Sequence, residues 1–483
     1  MGASTAAAAA TRYVDAVNGS DGGTCSSSPG CQTIGYAMGQ AANGDVLQLA
    51  PGTYVEQVVV NKNVTIQGGG SAQTIVQAPA TLAINTAVTP GSGQQQTAIV
   101  YVAPGMSAAL SDLAVVGPGA STCGSIGYGV FADAADLSVS NVHVGSVRDE
   151  PLSGCQNGRG IGYRNGATGT VQDSSIDDFQ KTGIVIYDAG TQVAVSGNTI
   201  TGMLAAPLAQ NGIDLWNATA TIDNNAISTL RCDDVNVSGC GEFASWSTGI
   251  LVDSAGPGTA LTNNVVSNTD GSVVALYGAS AYVLAGNTFN NPRYDNVQVW
   301  GAQLDMTSNQ LIGGQTGLEV IGYSAPATVR LLGGNIISGA SSDGIIGDSY
   351  DQPATVQGSQ NQFYGNGSGA ENLLPTDVTM NLQCNWWGSM SGPYFDSGVA
   401  GDPNSNPLGQ GNAVSADISY INWANDNITF PCSGTPEQNA PPPTGSAVPV
   451  PAGSALAWGG QMGLLLAAAA AGMWRRRPQS DGV

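Results

Sequence analysis

The sequence predicts an all-β fold, a right-handed parallel β-helix in which short strands coil into a solenoid. Three observations predict it: a strand-like unit recurs along the chain, one Asn recurs within each unit, and the composition favours strands and tight turns. Of the 483 residues, 68 are Gly and only 10% are charged, whereas amphipathic helices need Glu, Lys, Leu and Ala in period. Because a single compact core rarely grows beyond about 250–300 residues, an elongated repeat array suits this length.

The first elements lie near the N-terminus. Residues 1–11 begin with an Ala-rich run that lacks a basic segment and a long apolar core, so we interpret them as the remnant of a signal peptide or as a disordered end. The β-helix is assigned to residues 12–432. Two strand runs separated by turn residues, Gly44–Tyr54 and Val58–Gly68, form the predicted first coil. A short helix over Ile34–Ala42 is predicted to cap the open end of the solenoid.

The repeated unit is clearest from Gly160 onward, where a small or polar residue is followed by alternating apolar positions. The shortest spacings between unit starts are 21 to 24 residues, and the longer ones contain insertions. A period of this size with strand chemistry indicates one coil per repeat. The unit starts are Gly160, Gly183, Gly212, Gly249, Ser272, Asn296, Gly317 and Gly344.

An Asn recurs at the same place in six consecutive units. Asn tolerates left-handed backbone, and its side chain both donates and accepts hydrogen bonds. We therefore predict that these residues stack into a ladder at one bend of the solenoid and have no catalytic role. They are Asn198, Asn225, Asn264, Asn287, Asn309 and Asn335.

The chain has eight Cys, an even number, and no CxxC or His-Cys cluster of the kind that binds metals. Disulfides in an oxidising compartment are therefore favoured over metal sites, with free structural Cys as the alternative. The predicted pairs are Cys25–Cys31, Cys123–Cys155, Cys232–Cys240 and Cys384–Cys432.

Two motifs resemble those of known β-helix proteins. The run Gly44–Tyr54 (GDVLQLAPGTY) resembles the opening coil of the pectate-lyase-like superfamily, and Asn385–Gly388 (NWWG), followed by Ser391–Pro393 (SGP), is similar to the close of many bacterial β-helix surface proteins. The resemblance implies the fold over residues 12–432. It also implies that Trp386 and Trp387 cover the last coil, which would otherwise invite edge pairing. It carries no catalytic signature, and a fold does not by itself assign a function.

The C-terminus has the order of a sorting signal. Residues 433–447 form a Pro-rich linker. Within residues 448–483, an apolar stretch from Ala452 to Trp474 is long enough to span a bilayer and precedes three Arg at 475–477. This order resembles the PEP-CTERM/IPTL-CTERM class, which an exosortase-type protease processes. The resemblance implies an exported protein in the envelope, on the surface or in the medium of a Gram-negative-type bacterium, anchored transiently by a C-terminal transmembrane helix. An ordinary single-pass anchor is the alternative.

The charge balance restricts the partners. With 12 basic and 34 acidic residues, the net charge is -22. This excludes nucleic acid, whose phosphates require Lys and Arg, and disfavours polyanionic glycans. No cofactor is assigned. Ca²⁺ is left open: Asp177–Asp178 and Asp233–Asp234 could help to hold it, although neither pair belongs to a spaced ligand loop.

Strand alternation predicts which side chains face outward. Positions one and three after each unit start are apolar and should point into the coil, so positions two and four should point out. Asp214 and Asp253 lie on neighbouring coils, which stack about 4.8 Å apart, and are two positions out of step along their strands. They form the candidate catalytic pair by analogy with glycosidase carboxylates. The candidate substrate-binding residues on the same face are Arg164, Tyr187, Trp216, Trp300 and Glu319.

These features support two hypotheses of different class. The first is an exported surface β-helix that binds carbohydrate or extracellular matrix material without turnover. The second is a carbohydrate-active enzyme, a hydrolase or lyase, that uses Asp214 and Asp253. His143 is the only His, and Lys62 and Lys181 are the only Lys, so the basic cluster that lyases require is not evident. A purely structural surface protein is the third alternative.

Overall fold

The computed structural model describes residues 9–86, 96–233, 246–278, 280–373 and 377–436. Within these ranges the chain winds into stacked coils, and the strands of successive coils pair in parallel to form three long sheets, named here A, B and C. The predicted all-β parallel β-helix is therefore confirmed.

Sheet A has fifteen strands and contains both the first and the last strand of the solenoid. Its strands are Thr11–Val14, Val46–Leu49, Val64–Gln67, Ser107–Ser111, Asp136–Ser140, Thr168–Gln172, Gln192–Ser196, Thr219–Asp223, Ala260–Thr262, Tyr282–Ala285, Gln303–Thr307, Ala327–Leu331, Ala354–Gly358, Val378–Asn381 and Ile418–Ser419.

Sheet B has twelve short strands, most of which follow the Asn bend of each coil. Its strands are Gly52–Val55, Thr74–Gln77, Ala114–Val116, His143–Gly145, Ser175–Asp177, Thr199–Thr201, Ala226–Leu230, Val265–Thr269, Thr288–Asn290, Gln310–Ile312, Ile336–Ser338 and Gln362–Tyr364.

Sheet C has twelve strands, of which those after the first are five to seven residues long. Its strands are Val58–Val60, Ala98–Val102, Tyr128–Asp133, Arg159–Arg164, Thr182–Tyr187, Asn211–Trp216, Thr248–Asp253, Gly271–Leu276, Asp295–Trp300, Thr316–Gly322, Asp343–Ser349 and Ser368–Asn372.

The core is a column of aliphatic side chains inside the solenoid. Ile184, Ile213 and Ile250 are successive Cα partners in sheet C, and all three are fully buried. Full burial of such a side chain contributes about 1.5–3 kcal/mol. The prediction that the apolar positions point inward is thus confirmed, and the repetition of these residues in register builds one continuous core.

The unit starts are small because the neighbouring coil passes close to them. A Cβ added to Gly183 would lie 2.7 Å from the carbonyl oxygen of Gly212 and 2.9 Å from Cγ2 of Ile200 in the core. The start position therefore points inward together with the apolar residue after it. Two consecutive inward positions interrupt the strict alternation of a strand.

The predicted Asn ladder is confirmed and extends further than predicted. Asn264 is typical: its Nδ2 donates to Asn287 Oδ1 at 3.0 Å and to the carbonyl oxygen of Ile222 at 2.8 Å, and its Oδ1 accepts from Asn225 Nδ2 at 2.9 Å. The same pattern continues beyond the six predicted residues through Asn361 to Asn385. These buried amides are satisfied by one another and by backbone, as buried polar groups must be.

Both ends of the solenoid are covered. The helix Ile34–Gln40 caps the N-terminal end, with the Thr33 side chain accepting from the backbone N–H of Tyr36 as an N-cap. At the other end Trp387 is fully buried against Phe363, with ring centroids 4.8 Å apart. The chain then continues through an antiparallel pair, Trp423–Ala424 with Cys432–Gly434.

Three of the four predicted disulfides are present: Cys25–Cys31, Cys123–Cys155 and Cys384–Cys432. The fourth, Cys232–Cys240, includes a residue outside the described ranges. Residues 1–8 and 437–483 also lie outside the described ranges. They contain most of the predicted N-terminal remnant, most of the Pro-rich linker and the whole predicted sorting signal with its transmembrane helix. Across the described part of the chain, no helix is long and apolar enough to cross a membrane.

Candidate functional site

The predicted site residues lie on the outer surface of sheet C, in two rows that run across the coils. In the first row, Tyr187, Trp216, Asp253, Leu276, Trp300, Ile321 and Asp348 are successive Cα partners. In the second row, two positions earlier on each strand, the partners are Val185, Asp214, Leu251, Val274, Gln298, Glu319, Ile346 and Glu371. We call this surface the sheet C face.

Asp214 is held by two neighbours. Its Oδ2 accepts a hydrogen bond from the Tyr187 hydroxyl at 2.6 Å and another from Asn211 Nδ2 at 3.1 Å, and the residue is only 7% exposed. Burial, and then the adjacent Asp214 carboxylate, raise the pKa of Tyr187 well above its ordinary value. Tyr187 therefore stays protonated and remains a donor to this carboxylate.

Asp253 lies one coil further along the same face. Its Cα partner is Trp216, while Asp214 pairs with Leu251. One coil and two residues separate the two acids, which places their Cα atoms about 8 Å apart. Asp253 is partly exposed, and its Oδ1 accepts from Ser254 Oγ at 2.7 Å. The two predicted catalytic carboxylates thus share one face, and the catalytic role assigned to them stays a prediction.

Arg164 forms an ion pair with the neighbouring Asp188. Its guanidinium forms two hydrogen bonds with Asp188, at 3.0 and 3.3 Å, and its carbon lies 5.5 Å from the centroid of the Tyr187 ring. The side chain therefore supports Tyr187 from the preceding coil, and Asp188 balances its positive charge at the end of the face.

The two predicted aromatic platforms differ in accessibility. Trp216 is partly exposed and makes an edge contact with Tyr187, with centroids 6.0 Å apart. Trp300 is only 1% exposed, because it packs against Ile321 and under Tyr323 at 5.4 Å. The expectation that Trp300 is an exposed surface for a sugar ring is therefore corrected: it faces outward but is covered by the next coil.

Sequence reasoning missed a third outward row, formed by the residue immediately before each unit start. The start itself points inward, so its predecessor points out, as the contacts of Asn211 with Asp214 and of Asp295 with Gln298 demonstrate. The signal was available as a polar residue in register before most starts. The eight residues are Arg159, Thr182, Asn211, Thr248, Gly271, Asp295, Thr316 and Asp343, and Ser368 continues the row as the Cα partner of Asp343.

This third row brings a second acid beside Glu319. Gln298 Nε2 donates to Asp295 Oδ2 at 3.0 Å and to Glu319 Oε2. Burial, and then the proximity of Glu319, raise the pKa of Asp295 well above its ordinary value, and burial raises that of Glu319 as well. Further along the face, burial raises the pKa values of Asp343 and Glu371.

No metal centre is formed by the described residues: no group of three or more His, Cys, Asp or Glu among them could hold an ion. His143 lies on sheet B, where its Nδ1 is 3.0 Å from Ser175 Oγ and 3.6 Å from Asp177 Oδ2. It is therefore not part of the sheet C face.

A family model described as "Right handed beta helix region" matches residues 128–311. This segment includes Arg164, Tyr187, Asp214, Asp253 and Trp300, and the match agrees with the fold and its predicted handedness. No curated protein matches the chain.

Several solved structures are similar to the chain at low sequence identity. The periplasmic alginate epimerase AlgG has 13% identity and a TM-score of 0.48, over 69% of this chain and 75% of that one. The mannuronan C-5 epimerase AlgE4 A-module of Azotobacter vinelandii has 15% identity and a TM-score of 0.46, over 70% and 90%. The GH136 lacto-N-biosidase of Eubacterium ramulus has 13% identity and a TM-score of 0.44, over 73% and 67%. At this level the likeness assigns no activity to this chain.

Proposed function

We propose that this protein is an exported β-helix that binds a carbohydrate, or carbohydrate-containing extracellular matrix material, along the sheet C face. One observation carries the proposal: Tyr187, Trp216 and Asp253 are in register on three consecutive coils, with Asp214 held beside them. Aromatic rings pack on the apolar faces of sugars, and carboxylates accept hydrogen bonds from sugar hydroxyls. An extended chain laid across these three coils would meet the rings of Tyr187 and Trp216 and then the carboxylate of Asp253.

The charge of the face favours a neutral glycan. Arg164 is paired with Asp188, while the face carries several carboxylates and the whole chain has a net charge of -22. A polyanionic chain would be repelled at long range by this field. Neutral polysaccharides are therefore the ligands to test first.

The test is a binding assay of the intact chain against a panel of neutral and acidic polysaccharides. For a ligand that binds, Trp216→Ala is expected to weaken affinity about tenfold or more, as loss of a central aromatic anchor does. Tyr364→Ala is the matched control, because Tyr364 is an aromatic side chain 39% exposed on sheet B. Equal affinity in wild type and Trp216→Ala, or equal losses in both variants, contradicts the proposal. Absence of binding across the panel favours a purely structural protein.

A second candidate is hydrolysis of the bound glycan by Asp214 and Asp253. It is favoured by the fixed position of Asp214 and by the placement of the two acids on neighbouring coils of one face. In such a reaction one carboxylic acid protonates the glycosidic oxygen while the other carboxylate takes a proton from the attacking water. Asp214→Asn and Asp253→Asn are each expected to lower product release about 10²–10⁴-fold. Product release that persists in the double variant excludes this pair.

Export and sorting form a separate part of the proposal. Disulfides persist in oxidising compartments, and three are present. Residues 448–483 are proposed to act as a sorting signal with a transmembrane helix, recognised by an exosortase-type protease, and residues 433–447 as its linker. Cell fractionation tests this: the full chain should appear first in the membrane fraction, and a chain ending at residue 447 should not. Identical distribution of the two chains contradicts the sorting role.

A further inference from the structure

Asp295 and Glu319 form a carboxyl pair on adjacent coils of sheet C. Both accept hydrogen bonds from the one side-chain nitrogen of Gln298, which is itself almost fully buried. An amide nitrogen has two N–H groups, so Gln298 supplies one to each acid and places their oxygens close together. Asp295 is nearly inaccessible to water and Glu319 is partly exposed, so water screens the Asp295 carboxyl weakly.

The described strands on either side of the pair, Gly271–Leu276 and Asp343–Ser349, contain no Lys, Arg or His. The preceding strand, Gly271–Leu276, faces it with Gly271 and Val274. The following strand contributes two further acids, Asp343 and Asp348. Among the described ion pairs with Lys, Arg or His, none includes Asp295 or Glu319. Two ionised carboxylates that both contact one side-chain nitrogen repel strongly in a poorly solvated site.

The same two strands, Asp295–Trp300 and Thr316–Gly322, also contain Trp300 and the Ile321 side chain that packs on it. Trp300 follows Gln298 by two residues, and Ile321 follows Glu319 by two residues, so the carboxyl pair and the Trp300–Ile321 contact lie side by side. Tyr323 completes the cover just beyond the end of the second strand. Any separation of the two strands at the carboxyl pair acts directly on this aromatic contact.

We propose that Asp295 and Glu319 share one proton, and that this proton-dependent contact keeps the two strands together so that Trp300 stays covered. While the proton is held, one of the two carboxyl groups is neutral and can donate a hydrogen bond to the other. The two acids then do not repel, and Trp300 stays covered. When the proton leaves as pH rises, the two carboxylates repel, the strands loosen locally and Trp300 becomes accessible. The raised pKa values of both acids support a proton retained well above the ordinary carboxyl range. The inference goes beyond glycan binding and does not depend on it.

The experiment is a pH titration of tryptophan fluorescence and acrylamide quenching on the intact chain. The chain has eight Trp, so the difference between wild type and Trp300→Phe isolates the Trp300 signal. As pH rises, this signal is expected to shift to longer wavelength and to become more readily quenched, with no change in far-UV circular dichroism. Glu319→Gln and Asp295→Asn should each abolish the transition, because a neutral amide removes the repulsion.

Asp253→Asn is the control, because it removes one negative charge from the same face outside the pair, and its transition should persist. A transition that survives at the same pH in both Glu319→Gln and Asp295→Asn overturns the proposal. So does a Trp300 signal that stays constant up to the pH at which the circular dichroism itself changes. Using two variants guards against one that folds poorly, which the circular dichroism would reveal.

Discussion

At the scale of single residues, the fold depends on polar side chains that are buried and fully bonded. Asn264, in the middle of the ladder, is the clearest case: its removal would leave the backbone N–H of Asn225 without its acceptor and would take one donor each from Asn287 Oδ1 and the carbonyl of Ile222. Each buried group left unsatisfied costs about 1–3 kcal/mol. The position was readable from the sequence because one residue type repeated in register.

Asn264→Ala is therefore expected to lower the free energy of unfolding by about 3 kcal/mol or more. Denaturant unfolding, followed by circular dichroism, measures the change. Asn381→Ala is the control, since Asn381 is exposed on the outer surface of sheet A, and it should cost less than about 0.5 kcal/mol. Similar losses in the two variants would mean that the ladder is not a stabilising network.

Asp270 is a second residue with a large structural role, and no motif around it in the sequence indicates that role. The fully buried carboxylate accepts hydrogen bonds from the backbone N–H groups of Cys232 and Ser247, and lies 3.4 Å from Arg293 Nε. Cys232 and Ser247 lie on either side of residues 233–246, the insertion in the longest spacing between unit starts, from Gly212 to Gly249. Asp270 thus holds the two ends of the insertion together.

Asp270→Ala is expected to destabilise the protein by about 2–5 kcal/mol, because it leaves two buried backbone donors without their acceptor, at about 1–3 kcal/mol each, and removes the carboxylate beside Arg293. The matched change is Asp305→Ala, which breaks the Asp305–Arg330 ion pair on the outer surface of sheet A and should have little effect. Unfolding midpoints in urea compare the two. A smaller loss at Asp270 than at Asp305 would contradict the role assigned to Asp270.

At the scale of elements, the period of two predicted the strands and their inward residues, because each strand buries one side against the core. It failed at the unit starts, where Gly183 and its equivalents add a second consecutive inward position. Asp295 was missed for this reason. The burial of Trp300 was also beyond the sequence pattern, since it depends on Tyr323 from the next coil.

Two glycine substitutions test the close approach of neighbouring coils, because they are expected to change stability in opposite directions. A Cβ at Gly317 would lie 2.4 Å from Ile337 Cγ2 and 2.5 Å from the carbonyl oxygen of Gly344, so Gly317→Ala is expected to destabilise by about 1–3 kcal/mol. Gly39 lies in the capping helix with open space around it, so Gly39→Ala should stabilise by about 0.5–1 kcal/mol. Thermal unfolding would reveal an error if both variants shifted in the same direction.

At the scale of the whole molecule, acids whose pKa is raised by burial outnumber those whose pKa is lowered. An acid whose pKa is higher in the folded than in the unfolded state stabilises the folded state at low pH. This contribution to stability is lost as pH rises from the pKa of the unfolded state through that of the folded state. At Asp149, hydrogen bonds outweigh burial and lower the pKa, so its contribution is lost only as pH falls below the ordinary carboxyl range. The raised group includes Glu56, Asp133, Asp270, Asp295, Glu319, Asp343, Asp348 and Glu371.

The protein is therefore expected to be more stable at mildly acidic pH than at pH 8, with the self-repulsion of a net charge of -22 adding to the effect. Urea unfolding at about pH 5.5 and pH 8 measures it, and the midpoint should be higher at the lower pH. Glu319→Gln should reduce the difference. A midpoint that rises with pH would contradict this reading of the buried acids.

The stacked register of the three sheets has a mechanical consequence. The hydrogen bonds between coils lie along the solenoid axis, so the twelve coils represented in sheets B and C make a rod about 50 Å long. Tension applied between its ends loads all three sheets at once at every boundary between coils, and a boundary can part only when its whole set of bonds breaks together. A molecule built in this way resists stretching as a stiff spacer, and it would yield by discrete ruptures, one coil boundary at a time.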